Sequence, residues 1–179
     1  MKIDINKLEY RKYTDDDFDD LYLLETKCFP PGVAYPRDLL KSSFKGAEGR
    51  VWVVLYNELV IGYYWSEIWD IPITDDFRTY LKTCEHDPHG NVLFIANIAV
   101  DPEYRGNSIG REMMLKMLPE MADNRNLLYS LLAVSVKNKK AHSIYSELGY
   151  VSIQRINNYY KPINSDPEAA LIMIKSEVD

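Results

Sequence analysis

No apolar run in this 179-residue chain reaches the roughly 18 residues that a membrane-spanning helix needs, so no membrane association is expected. Cysteine is scarce. Cys28 and Cys84 are the only two, too few for a disulfide-stapled scaffold and not spaced as metal ligands, so no metal site is expected. Residues 1–11 mix charged and apolar side chains and lack the apolar core of a secretory signal; with the two thiols, this suits a reducing cytoplasm. Positive charge is short as well: 21 Lys and Arg against 27 Asp and Glu leave a net charge of −6. That balance argues against a general nucleic-acid surface, which needs a basic stripe. It leaves room for one anionic ligand, because helix-terminal amides hold a phosphate without bulk charge. It also mildly favours cationic amines. No Gly-Lys-Ser/Thr P-loop, no Gly-x-Gly-x-x-Gly fingerprint, no repeat and no linker occurs.

What is present fits one domain, residues 1–179, able to bury a full core. Residues 8–13 read as a strand. Thr14 with Asp15, Asp16 and Asp17 supplies an N-cap and an acidic first turn for a helix over residues 15–27. Pro30, Pro31 and Gly32 break the chain, and a second helix runs from Tyr35-Pro36 to about Phe44. Residues 51–56 and 59–67 form strands around a tight Asn57-Glu58 turn. Residues 69–90, with two prolines and scattered acids, read as a long exposed loop with a helical turn over 75–83; His86 and His89 are loop residues. Residues 91–100 are apolar enough for a strand buried on both faces. A helix over 108–122, a strand over 127–136, a helix over 139–148 that exposes His142, and strands over 151–157 and 170–175 complete a mixed α/β order with one central sheet.

Two stretches carry chemistry. The first runs from Ile98 through Val100, Asp101-Pro102, Arg105-Gly106-Asn107-Ser108-Ile109 and Gly110: a strand, a turn, a loop of small residues and a helix. Amides of a first helical turn have no internal partners, and the helix dipole adds partial positive charge, so this is either an anion site or an ordinary strand–turn–helix link. Gly106 and Gly110 permit close approach, and Arg105 can add a charge-assisted contact. The second runs from Asn138 through Ala141, Tyr145 and Leu148 to Gly149-Tyr150. By itself it describes a helix capped by Asn138 and closed by Gly149.

In this order, the pair resembles the GNAT superfamily of acetyltransferases, whose Arg/Gln-x-x-Gly-x-Gly/Ala loop is matched by Arg105 to Gly110 and whose Asn-x-x-Ala-x-x-x-Tyr-x-x-x-Gly-Tyr/Phe segment is matched by Asn138 to Tyr150. Ser108 departs from the pattern by replacing the central glycine; its amide still donates, provided its backbone avoids the left-handed region. The resemblance implies a central, mixed, mostly antiparallel twisted sheet of about seven strands flanked by about four helices. It also implies an N-acetyltransferase that uses acetyl-coenzyme A as co-substrate. Gly106, Asn107, Ser108, Ile109 and Gly110 would cradle the pyrophosphate. Ile98, Ala99 and Val100 would pair with the pantetheine arm, and Asn138 would contact it. Tyr145 would protonate the leaving thiolate as general acid, and an amide near Val100 would meet the oxyanion.

Two further stretches resemble the ribosomal-protein and protein N-terminal acetyltransferase branch: Phe29-Pro30-Pro31-Gly32-Val33-Ala34-Tyr35-Pro36 and Asn158-Tyr159-Tyr160-Lys161-Pro162. This implies a peptide amino group as acceptor, gripped by Phe29, Val33, Tyr35, Tyr159 and Tyr160. A homodimer is compatible with this class. The general base stays open, because Ala133 and Phe94 stand where that branch often has one. Glu67 is a weak candidate that reads equally as a solvated edge residue; Tyr160 and a bound water are the others. Two alternatives remain: a polyamine, small-molecule or lysine acceptor drawn by Asp70, Asp75, Asp76, Glu85 and Asp87, and a non-catalytic acyl-coenzyme A sensor.

Overall fold

The computed structural model describes residues 2–47, 49–72, 74, 76–121 and 127–176. Seven strands form one sheet in the order β1-β2-β3-β4-β5-β7-β6: β1 (Leu8–Lys12), β2 (Val51–Tyr56), β3 (Leu59–Trp69), β4 (Val92–Val100), β5 (Tyr129–Ser135), β6 (Val151–Tyr160) and β7 (Glu168–Ser176). Registers run antiparallel for β1–β2, β2–β3, β5–β7 and β6–β7 and parallel for β4–β5, where Val92–Ile95 face Tyr129–Leu132. The helices are α1 (Phe18–Cys28), α2 (Arg37–Gly46), the single turn α3 (Tyr80–Thr83), α4 (Ile109–Met121) and α5 (Lys139–Glu147). The mixed, mostly antiparallel sheet with flanking helices agrees with the expected class. Among the described residues no helix is long and apolar enough to cross a membrane.

The chain divides into two compact units that interleave in sequence, Met1–Ser66 with Asn97–Glu120 and Glu67–Ala96 with Met121–Asp179. In the first, α1 begins three residues later than expected because Asp15–Asp17 form a 3-10 turn. Asp17 explains why: its Oδ2 accepts from the Thr14 amide at 2.8 Å and the Thr14 hydroxyl at 3.0 Å, and both of its oxygens take the Arg11 guanidinium. Leu21, Leu24, Leu40, Phe44 and Tyr63 fill the core of this unit, with the Phe44 ring edge-on to Tyr13, Tyr63 and Trp65. Asn57 and Glu58 both take positive φ (50° and 66°), the conformation a two-residue hairpin turn requires.

In the second unit, the stretch expected as an exposed loop over 69–90 is largely anchored. Trp69, Ile71 and Phe77 are buried, and the Trp69 ring stacks on Phe94 at 3.8 Å. The Phe77 amide donates to Gln154 Oε1 at 3.0 Å, Gln154 Nε2 donates to Asp76 at 2.9 Å, and the Asn91 side chain bonds both backbone groups of Ile71. Irregular backbone thus finds side-chain partners in place of a ladder. The helical turn shrinks to α3; Asp75, its expected start, lies outside the described residues, as does Ala122, the expected end of α4. Strand β4 is buried over Val92–Ile95 but only half-buried at Ala96–Ile98 and Val100, so burial on both faces holds for its first half alone. Strand β6 runs to Tyr160, beyond the expected residue 157, through an irregularity in which Asn158 takes φ 54°. His142, expected to be exposed, is half-buried, with Nε2 3.5 Å from Ser152 Oγ.

Gly90 ties the anchored stretch to the sheet, and a Cβ there would stand 2.3 Å from the Trp69 carbonyl oxygen. Gly90→Ala is therefore expected to destabilise the protein by about 2 kcal/mol, because backbone has to move to admit the methyl group. Urea unfolding at equilibrium measures this, and an unchanged midpoint would show the stretch to be loosely held.

Candidate functional site

In the first unit, β4 ends at Val100, and Asp101 bends the chain. Asp101 Oδ1 accepts from the Glu103 amide at 3.0 Å, capping a 3-10 turn (Pro102–Tyr104), while its Oδ2 takes Lys27 Nζ at 3.1 Å. The Val100 carbonyl accepts from Arg105 Nε at 3.0 Å and from Cys28 Sγ at 3.3 Å, so the end of α1 and the turn after β4 meet at one oxygen. Asn107 braces the loop by donating to the Tyr104 carbonyl at 2.8 Å and accepting from the Ile3 amide at 3.2 Å. Ala99 is buried, whereas Ile98, Val100 and Asn107 are half-buried.

The loop then turns into α4 through two residues of positive φ, Gly106 at 85° and Ser108 at 60°. This overturns the expectation that Ser108 stays out of the left-handed region. Its carbonyl accepts from the Glu112 amide at 3.0 Å, so it closes the first turn of α4, and the chain must reverse there whatever residue it carries. Serine in that region costs about 1 kcal/mol relative to glycine. Nothing lies within 4 Å of a Cβ built on Gly106 or Gly110. A thirteen-residue helix whose first turn opens on unfilled space between small residues fits a pyrophosphate group.

On α1 sits a group that sequence reading missed. Glu25, on α1, is 0% exposed. Its Oε1 accepts from the Tyr35 amide at 2.8 Å, and its Oε2 accepts from the Tyr63 hydroxyl and from Asn97 Nδ2 at 3.0 Å. Asn97 Nδ2 also lies 2.7 Å from the Tyr63 oxygen. Burial raises the carboxyl above its usual range despite three donors that pull the other way. The available signal was a charged residue at an inward position of α1, one helical turn from Leu21. Next to Glu25, a groove of about 280 Å³ is lined by Tyr22, Thr26, Phe29, Pro31, Ala34, Tyr35 and Pro36. Of the residues expected to grip an acceptor, Phe29 and Tyr35 line this groove, and Val33 lies half-buried in the same connection.

Tyr159 and Tyr160 belong to the second unit, at the end of β6, with ring centroids 4.8 Å apart. The Tyr160 hydroxyl donates to the Ala133 carbonyl at 3.1 Å, and burial raises the Tyr159 hydroxyl. Helix α5 is capped as its sequence requires: Asn138 Oδ1 accepts from the Ala141 amide at 3.2 Å, and Gly149 takes φ 94°. Tyr145 lies in the last turn of α5, and desolvation alone pushes its hydroxyl up to about 12, so it stays protonated at neutral pH. Glu67 is half-buried, not a solvated edge residue. Its Oε2 accepts from the Trp69 indole at 2.8 Å, and burial, joined by the neighbouring Glu85, raises its carboxyl.

A family model described as "Acetyltransferase (GNAT) family" matches residues 18–150, about three quarters of the chain. The chain belongs to that family. It is an acetyl-coenzyme A-dependent N-acetyltransferase, with acetyl-coenzyme A as co-substrate. It is 28% identical over 182 residues to "Uncharacterized N-acetyltransferase YkwB" of Bacillus subtilis (strain 168), covering 93% of this chain and 76% of that protein. It is 34% identical over 77 residues to the [ribosomal protein bS18]-alanine N-acetyltransferase of Escherichia coli (strain K12), covering 43% of this chain and 51%, about half, of that relative. The loading GNATL domain of CurA from Lyngbya majuscula has the same fold, with a TM-score of 0.81 at 14% identity over 94% of this chain and 97% of that one.

For this acetyltransferase, the left-handed Ser108 yields a test of the loop. Ser108→Gly is expected to leave acetyl-coenzyme A affinity within about threefold, whereas the β-branched Ser108→Val is expected to weaken it at least about tenfold. Isothermal titration with the co-substrate measures both, and equal affinity in the two variants would remove the loop from the binding site.

Proposed function

We propose that the acceptor is the free α-amino group of a protein or peptide N-terminus, attacked directly in a ternary complex with acetyl-coenzyme A. The observation that carries this is the groove at the connection between α1 and α2, whose aromatic and proline surfaces suit one apolar side chain of a peptide. The relative named as a [ribosomal protein bS18]-alanine N-acetyltransferase supports the same acceptor class. Of the acids named for a polyamine, three are engaged or outside the described residues. Asp76 is engaged by Arg78 and Gln154, the Asp87 carboxylate accepts from the His89 amide, and Asp75 is outside the described residues.

In this reading, the amides from Gly106 to Gly110, with Arg105 beside them, hold the co-substrate pyrophosphate. Ile98, Ala99 and Val100 pair with the pantetheine arm, and Asn138 contacts it. The neutral amine attacks the thioester, an amide near Val100 meets the oxyanion, and Tyr145 donates its proton to the departing thiolate. Glu67 receives the amine proton. It is reachable from solvent and has raised proton affinity, whereas Glu25 is enclosed and committed to three donors, and the Tyr160 proton is engaged by the Ala133 carbonyl. Glu25 positions Tyr35 and Asn97. The free thiols of Cys28 and Cys84, both raised by burial, suit a cytoplasmic protein.

The deciding assay mixes the protein with acetyl-coenzyme A and peptides differing at residue one, spermidine, and a lysine peptide with a blocked N-terminus, following thiol release and product mass. Acetylation of free peptide N-termini that is lost on blocking supports the proposal. Transfer to spermidine or to the blocked lysine peptide would replace it with another acceptor, and binding without transfer would replace it with a sensor.

Two variants test the roles. Tyr145→Phe is expected to lower kcat about 10²-fold or more while leaving acetyl-coenzyme A affinity intact. Glu67 has its pKa raised, so the basic form needed for catalysis accumulates only above the ordinary carboxylate range, and kcat/KM should climb with pH there. Glu67→Gln is expected to lower kcat about 10²-fold and to remove that inflection. An unchanged pH profile would return Glu67 to a structural role.

A further inference from the structure

On β3 of the first unit, Tyr63 and Trp65 alternate onto one face, the face from which Tyr63 reaches Glu25. Trp65 is 3% exposed, and its indole Nε1–H has no hydrogen-bond partner among the described residues. A buried donor without an acceptor is uncommon, because its lost hydration is not returned. Two rings pack edge-on against Trp65: Phe44 at 5.7 Å and Tyr35 at 5.3 Å between centroids. Tyr35 is the same residue whose amide is fastened to Glu25 and whose side chain lines the groove. It is half-buried, and its ring is the part of the groove wall that covers Trp65.

We propose that Trp65 determines the acceptor class: its indole N–H takes the carbonyl oxygen of the acceptor's first residue once the Tyr35 ring turns aside. This rests on the reading of the acceptor as a peptide N-terminus, and it gives that reading a physical basis for selectivity. An α-amino amide carries, next to the carbon that bears its amine, a carbonyl oxygen that satisfies Trp65. A polyamine brings donors only and leaves the indole unpaired. A site built around an unmet donor rejects ligands lacking the matching acceptor more strongly than apolar shape alone allows. The other unpaired buried indole, Trp52, alternates onto the opposite face of β2, where Lys12 Nζ lies 4.0 Å from its ring centroid, and does not share this position.

The test compares wild type and Trp65→Phe, which keeps a ring against Tyr35 and Phe44 but removes the N–H. Each is assayed with a free-N-terminus peptide and with its analogue in which the first carbonyl is reduced to a methylene. The ratio of the two kcat/KM values is compared between enzymes, so the different basicity of the two amines cancels. Wild type is expected to favour the peptide, and Trp65→Phe to lose about tenfold of that preference, mostly through the peptide, with the thermal midpoint and acetyl-coenzyme A affinity close to wild type. An unchanged ratio, or an equal loss on both substrates, would overturn the role of Trp65 while leaving the peptide acceptor standing. A wild type that acetylates neither substrate but does acetylate spermidine would overturn the acceptor reading and this proposal with it.

Discussion

A carboxylate enclosed at the centre of the first unit sets the terms for what surrounds it. Glu25 has no exposed surface, and burying its charge opposes folding by several kcal/mol unless donors replace the lost water. Those donors come from three places: the Tyr35 amide in the connection between α1 and α2, the Tyr63 hydroxyl on β3 and the Asn97 amide on β4. Each is held by the need to satisfy the same group, so the groove wall, the sheet and the strand that leads into the small-residue loop are fixed to α1 together. The raised proton affinity of Glu25 shows that the donors do not fully offset its burial. A buried carboxylate of this kind adds little net stability, and its effect lies in the arrangement it imposes.

The same helix reaches the loop from its last turn. Lys27 meets Asp101, and Cys28 donates to the Val100 carbonyl, which Arg105 also holds. Within five residues, Glu25 to Cys28 and the adjoining Phe29, α1 therefore touches both the strand end assigned to the co-substrate arm and the groove assigned to the acceptor. Under the proposed assignment, a substitution there would act on both substrates at once, and effects on the two KM values would not separate cleanly. Further along the chain, Ser108 is the remaining local cost. A left-handed serine persists because the turn into α4 is set by Gly106 on one side and the helix on the other.

Much of this was legible in the sequence wherever local chemistry decides conformation. The strand of residues 51–56 and the Asn57-Glu58 turn match the expected positions. The caps at Asn138 and Gly149 do as well, and the remaining long elements fall within a few residues of expectation. The two motifs pointed to the family before any coordinates. What stayed hidden depends on partners distant in sequence. The stretch from Trp69 to Gly90 has loop composition, yet Gln154, Asn91 and Phe94 anchor it from 20 or more residues away. Glu25 reads as one more acid in an acidic helix until Tyr63 and Asn97, 38 and 72 residues downstream, are brought against it. At Ser108 the demand of the turn into α4 outweighs the side-chain preference that the sequence displays.

The absence of a base at Ala133 and Phe94 also becomes intelligible in the second unit. Phe94 is stacked on Trp69, and the pair belongs to an apolar cluster with Tyr129, Leu131 and Ile172, against which Ala133, Tyr159 and Tyr160 pack. A carboxylate or imidazole at either position would have to be desolvated inside that cluster, while the Ala133 carbonyl already receives the Tyr160 hydroxyl. Glu67, at the end of β3, stands at the margin of this surface. It keeps contact with solvent, and the Trp69 indole orients one of its oxygens.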